Sequence, residues 1–139
     1  KGGDELNLVT PGTNYGWPEI TYGVNYDGTI ITNKTEAEGM AQPLTYWVPS
    51  IAPSGLVMLT SDVYPGWKGD LFTGGMNGPA GLELTRIDME NGEVVGKQSL
   101  FDGEYPIRDV VQGPDGHLYV ATKDFDGIFR VDIAEAEAE

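Results

Sequence analysis

Turn signals punctuate the second half of this chain and set what it can fold into. Tyr64-Pro65-Gly66, Glu90-Asn91-Gly92, Gly113-Pro114-Asp115-Gly116 and Asp126-Gly127 follow one another along it. Proline fixes φ and glycine supplies left-handed backbone, so each cluster interrupts regular structure. The segments between them are short and rich in β-branched and aromatic residues, which disfavours a helical bundle. The pattern predicts strands near 55–60, 69–74, 81–88, 93–100, 106–112, 117–122 and 127–133, joined as an antiparallel meander.

A weak internal repeat sharpens this expectation. Gly69-Asp70-Leu71-Phe72-Thr73 resembles Gly116-His117-Leu118-Tyr119-Val120, and Arg86-Ile87-Asp88 resembles Arg130-Val131-Asp132. The offset is about 44–47 residues, the range of a four-stranded propeller blade. Residues 55–101 supply one whole blade and 105–133 three strands of another. Closed propellers need roughly four to eight blades. The expected fold is therefore all-β, a partial β-propeller of about two blades, with strands over 55–133.

Residues 1–54 read as a loop-rich segment. Leu6-Asn7-Leu8-Val9 alternates like a short strand. Thr10-Pro11-Gly12 is a turn, Asn14-Tyr15-Gly16-Trp17-Pro18 a compact aromatic loop, and Asp27-Gly28 a tight-turn pair. Glu36 to Gly39 is long enough for one helical turn. Asn33-Lys34-Thr35 matches a glycosylation sequon, a pattern common by chance. In Tyr46 through Gly55, two prolines four residues apart stiffen the backbone, so the stretch reads as an extended connection, neither helix nor central strand. Its aromatics suit either a wall for a flat ligand or a plug over a core. The acidic tail, residues 134–139, reads as a frayed end or short helix.

The formal charge is −14, from 22 acidic and 8 basic residues. Phosphate neutralisation and attraction to anionic lipid both need lysine and arginine, so nucleic-acid and membrane partners are not expected. The absence of cysteine excludes disulfides and thiolate chemistry. No Walker-type phosphate loop and no Gly-x-Ser-x-Gly elbow is present. No secretory signal is visible, and the abrupt start at Lys1-Gly2-Gly3-Asp4-Glu5 reads as the interior of a longer sequence.

An ordered set of motifs carries a family resemblance. Gly2-Gly3-Asp4-Glu5, Asn14-Tyr15-Gly16-Trp17-Pro18, Tyr46 through Gly55, Gly69-Asp70-Leu71-Phe72, Ile107-Arg108-Asp109-Val110 and Gly113-Pro114-Asp115-Gly116 occur in one order. Together they resemble the C-terminal part of the soluble aldose sugar dehydrogenases of the glucose/sorbosone dehydrogenase family. The resemblance implies a six-bladed β-propeller that uses pyrroloquinoline quinone and calcium. It implies oxidation of an aldose at its anomeric carbon, with a histidine base taking the hydroxyl proton and hydride passing to the quinone. It also implies a periplasmic or extracellular location.

The same resemblance assigns residues. Glu5 matches an acidic ligand to a structural calcium and the Tyr15 main-chain carbonyl another, a hard-oxygen pair suited to that ion. Tyr26 matches an aromatic facing the cofactor pocket, with a packed loop tyrosine as the alternative. Trp47, Pro49 and Ser50 match a wall of the quinone site, with core packing as the alternative for Trp47. Arg108 matches an arginine that contacts a quinone carboxylate; the alternative is an ion pair with Asp109 or Asp115.

The chain also departs from the pattern. The family's catalytic histidine, and the carbonyls that hold the cofactor's calcium, fall before the position matching Lys1. The one histidine, His117, matches no catalytic position and reads as a surface strand residue, so no catalytic residue is assigned. Asn77 stands where relatives commonly carry lysine, and Pro106 where they often carry arginine. Both changes are expected to weaken quinone binding. Two functions follow: a C-terminal portion of a quinone-dependent aldose dehydrogenase, inactive alone and in need of the missing N-terminal part, or a non-catalytic module that self-associates through exposed blade edges.

Overall fold

The computed structural model describes residues 1–78, 81–124 and 126–134, and the tail after Ala134 lies outside them. No α-helix occurs among the described residues. The chain divides into two compact units, Lys1–Pro53 and Ser54–Glu139.

The first unit is built on two short antiparallel strands, β1 (Asp4–Leu6) and β2 (Thr45–Trp47), with Glu5 opposite Tyr46. Leu6, Ile20, Trp47 and Ile51 are its buried apolar residues. Gly2 and Gly3 enter β1 with positive φ, and a Cβ on Gly3 would run into the Tyr22–Gly23 peptide. The alternation of residues 6–9 does not continue as strand. Leu44 N donates to Leu6 O at 2.8 Å. Pro43, next along that segment, has no N–H to extend the ladder. Leu8 and Val9 are consequently exposed.

One other expectation is corrected, and one gains detail. Residues 36–39 form no helical turn; Met40 N donates to Ala37 O in an isolated turn. The Tyr46–Gly55 stretch is irregular only at its centre. Tyr46 and Trp47 belong to β2, and Pro53 opens β3 (Pro53–Met58). Proline is tolerated there because it is the first residue of an edge strand.

The second unit holds two antiparallel meanders. The first has strand order β3, β4 (Leu71–Asn77), β5 (Gly81–Glu90) and β6 (Glu93–Leu100). The second has β7 (Ile107–Gln112), β8 (Leu118–Thr122) and β9 (Ile128–Arg130). This is one four-stranded and one three-stranded blade, a partial β-propeller. The repeat falls on equivalent strands: Leu71 and Leu118 open the second strand of each meander, and Arg86 and Arg130 lie on the third.

One core joins the two sheets, made of Leu59, Tyr64, Phe72, Leu84, Ile107, Val110, Leu118, Val120 and Val131. The apolar period of two on β4 and β5 places Phe72 and Leu84 on the face turned toward β7. The sheets approach closely at Gly74, where a Cβ would lie 2.6 Å from both Cγ2 and O of Ile107. Ser54 Oγ donates to Ile107 O at 2.5 Å beside it. Tyr64 ties the far side, its hydroxyl donating to Val131 O and accepting from Leu118 N, each at 2.7 Å.

Candidate functional site

In the first unit, Glu5 and Asn7 lie two residues apart, on one side of the chain as it leaves β1. Asn7 Nδ2 donates to Glu5 Oε2 at 3.0 Å. The Asn7 amide oxygen is buried and has no hydrogen-bond partner among the described residues. A carboxylate beside a buried, unsatisfied amide oxygen is a hard-oxygen pair that suits calcium. Tyr15 is drawn toward the same end of β1: its hydroxyl donates to Leu8 O at 2.8 Å and accepts from Thr10 N at 2.7 Å. Burial alone would push that phenol up; the hydrogen bonds of Thr10 and Thr13 outweigh it and hold it below its usual value. Among the described residues no three histidine, aspartate or glutamate side chains converge on a metal geometry. A cation here would therefore need amide or main-chain oxygens. The orphaned Asn7 oxygen was missed in the sequence because nothing in an Asn codes for being unsatisfied.

The remaining first-unit residues differ widely in exposure. Tyr26 is 91% exposed at the tip of a hairpin closed by the Val24–Ile30 bridge. Asp27 Oδ1 stabilises that tip by accepting from the Thr29 amide and hydroxyl, which lowers the Asp27 carboxyl. Tyr26 is therefore not a packed loop tyrosine. Trp47 is buried in the unit's core. Pro49 is exposed and preceded by a cis peptide, and Ser50 Oγ accepts from Ala52 N at 3.0 Å. Next to Glu5, across the strand pair, Tyr46 stacks on Tyr22 with centroids 3.7 Å apart.

In the second unit, Arg108 and Asn77 are exposed. Asn77 ends β4, opposite Gly81. Arg108 sits in a β-bulge, because the β7–β8 register shifts between Ile107 and Asp109. A bulge takes its residue out of the ladder and re-aims the side chain. The Arg108 guanidinium reaches Met76, with Nη1 3.9 Å from Sδ. Neither alternative ion pair forms. Asp109 Oδ1 accepts its own strand's Val110 N at 2.9 Å. Asp115 Oδ2 accepts from Tyr119 at 2.9 Å and lies 3.1 Å from His117 Nδ1. Met76 was missed as a contact because a thioether in a strand reads as packing.

His117 is tied into a separate acidic corner. Its Nε2 lies 3.9 Å from Asp132 Oδ1, and Arg130 grips Asp132 with two N–H groups at 2.9 and 3.2 Å. Burial would raise the Asp115 carboxyl, but hydrogen bonds from Tyr119 and His117 and the imidazole charge hold it below the usual range.

Comparison with known proteins supplies the family. Residues 1–131 match the Glucose / Sorbosone dehydrogenase family. The aldose sugar dehydrogenase YliI of Escherichia coli is 40% identical over 131 residues, covering 91% of this chain and 34% of that protein. A solved glucose dehydrogenase superposes with a TM-score of 0.85 at 39% identity, covering 96% of this chain and 39% of its own. The apo-form soluble aldose sugar dehydrogenase of E. coli gives 0.72 at 36% identity, covering 87% and 35%. The chain thus spans about a third of the length of these relatives. With the match running through both units, from the Glu5 strand to the last blade strand, the chain belongs to the Glucose / Sorbosone dehydrogenase family.

Proposed function

We propose that this chain is a portion of a quinone-dependent aldose dehydrogenase of the periplasm or cell exterior, supplying pocket residues and a calcium site and inactive alone. The observation that carries this is Arg108. In a chain of charge −14, its guanidinium has no carboxylate partner among the described residues and is aimed by a bulge. A guanidinium left free in an acidic protein is suited to bidentate contact with an anionic ligand carboxylate. Pyrroloquinoline quinone is such a ligand, and the chemistry it supplies when bound is acceptance of a hydride from the sugar. Asn77, in the same unit as Arg108, would add a neutral hydrogen bond. Glu5, Asn7 and the Tyr15 carbonyl would hold calcium. The reading assigns this chain no catalytic base, because its one histidine, His117, lies against Asp115 and Asp132 and matches no catalytic position of the family.

The test is titration of the purified chain with pyrroloquinoline quinone, with and without calcium, followed by tryptophan quenching. Saturable, calcium-dependent quenching that Arg108→Ala weakens about tenfold or more is expected, the scale of one charge-assisted hydrogen bond. A folded chain that shows no quenching overturns the reading.

The second reading, a self-associating module, is favoured by one feature. Among the described residues the blade β7–β9 has three strands where its neighbour has four, and Ile128 and Phe129 on its last strand are exposed. Edge strands recruit further strands. Light scattering on the same samples tests it: a concentration-dependent dimer supports it, and a folded monomer at high concentration removes it.

A further inference from the structure

We infer that Met76 is a positioning residue for Arg108, holding its guanidinium ready for an anionic ligand without neutralising it. This rests on the reading that Arg108 receives a quinone carboxylate. Met76 lies on β4 opposite Leu82, half-buried, on the face that carries Phe72 and Gly74 toward β7. Its thioether is the group that Arg108 Nη1 contacts, at 3.9 Å.

The chemistry of the acceptor matters. A carboxylate at this place would pair with the guanidinium, consume its fork of donors and repel an anion. A thioether is a weak, uncharged acceptor on a side chain with three rotatable bonds. It restrains the direction of Arg108 while leaving the other N–H groups and the whole charge available. The bulge supplies the second restraint, because it removes Arg108 from the strand's regular alternation. Asp109, the acid next in sequence, is turned away to its own backbone, with Oδ1 on Val110 N. Directing an exposed arginine in advance lowers the ordering cost when the ligand binds.

The test measures affinity for pyrroloquinoline quinone in calcium by tryptophan quenching in the wild type, Met76→Leu, Met76→Gln, Arg108→Ala and Met76→Leu/Arg108→Ala. Leucine keeps the volume and removes the acceptor. Met76→Leu is expected to weaken binding about threefold, the scale of one weak sulfur hydrogen bond. Met76→Gln, whose amide oxygen accepts, restores it, and Met76→Leu adds nothing once Arg108 is alanine. The trimethyl ester of the quinone, which lacks the carboxylates, binds all variants equally. If Arg108→Ala weakens binding while Met76→Leu binds like the wild type, or costs the same in both backgrounds, this inference falls alone. If Arg108→Ala has no effect, the parent reading falls with it.

Discussion

Arg86 Nε donates to Asp70 Oδ2 at 2.6 Å, and Asp70 is only 2% exposed. The other carboxylate oxygen accepts Met89 N at 3.0 Å, so one acid ties the start of β4 to β5. The guanidinium also lies over the Trp67 ring, 5.0 Å from its centroid. Removing Asp70 takes away the buried partner of Arg86, which keeps the half-exposed Asp88 at 3.3 Å, and leaves Met89 N without its acceptor. Asp70→Ala is expected to cost about 3 kcal/mol, the low end for breaking a buried pair, whereas Asp70→Leu/Arg86→Met costs less than the single change. Urea unfolding of the three proteins checks the order. A double variant less stable than the single would contradict it.

The close approach of the two blades at Gly74 gives a second prediction. Gly74→Ala would place its Cβ 2.6 Å from both the side chain and the carbonyl of Ile107. Overpacking of this kind costs about 1–3 kcal/mol. Ile107→Ala should fail to rescue it, since the carbonyl remains, and should add a cavity cost of about 2–5 kcal/mol. Thermal melting of both single variants and the pair decides the matter.

Calcium should stabilise the first unit through Glu5 and Asn7. An ion that binds only the folded state raises stability as its concentration exceeds its dissociation constant. Calcium is expected to raise the melting temperature and excess chelator to reverse the rise. Glu5→Gln and Asn7→Leu should each diminish the rise. Equal calcium responses in all three proteins would remove these residues as ligands.

The acidic corner around His117 predicts a pH effect. The Asp115 carboxyl is held below its ordinary value of 3.8 in the folded chain. Its contribution to stability is therefore present above that value and lost as pH falls through the lower folded one. The stability difference between the wild type and Asp115→Asn should shrink on acidification below about pH 4. A difference constant from pH 6 to 2 would show that the carboxylate charge contributes nothing.

Turn chemistry and period-two patterning were enough to read every strand of the two blades from the residues, because glycine and proline clusters stop strands wherever they stand. Local signals also located the repeat, whose Arg86 and Arg130 occupy matching third strands. Pairing across long sequence separations was not legible. The β1–β2 sheet joins residues some forty apart, and its short extent depends on Pro43 lacking an N–H, so Leu8 and Val9 read as strand and are not. The resemblance named Arg108 and Glu5. That Arg108 rejects Asp109 and Asp115 and meets Met76 depends on a bulge and on two strands packing together. That Asn7 carries an unsatisfied oxygen depends on what surrounds it. Residue type and spacing determined which elements form; only three-dimensional packing decided which charges are satisfied and which are left free to bind.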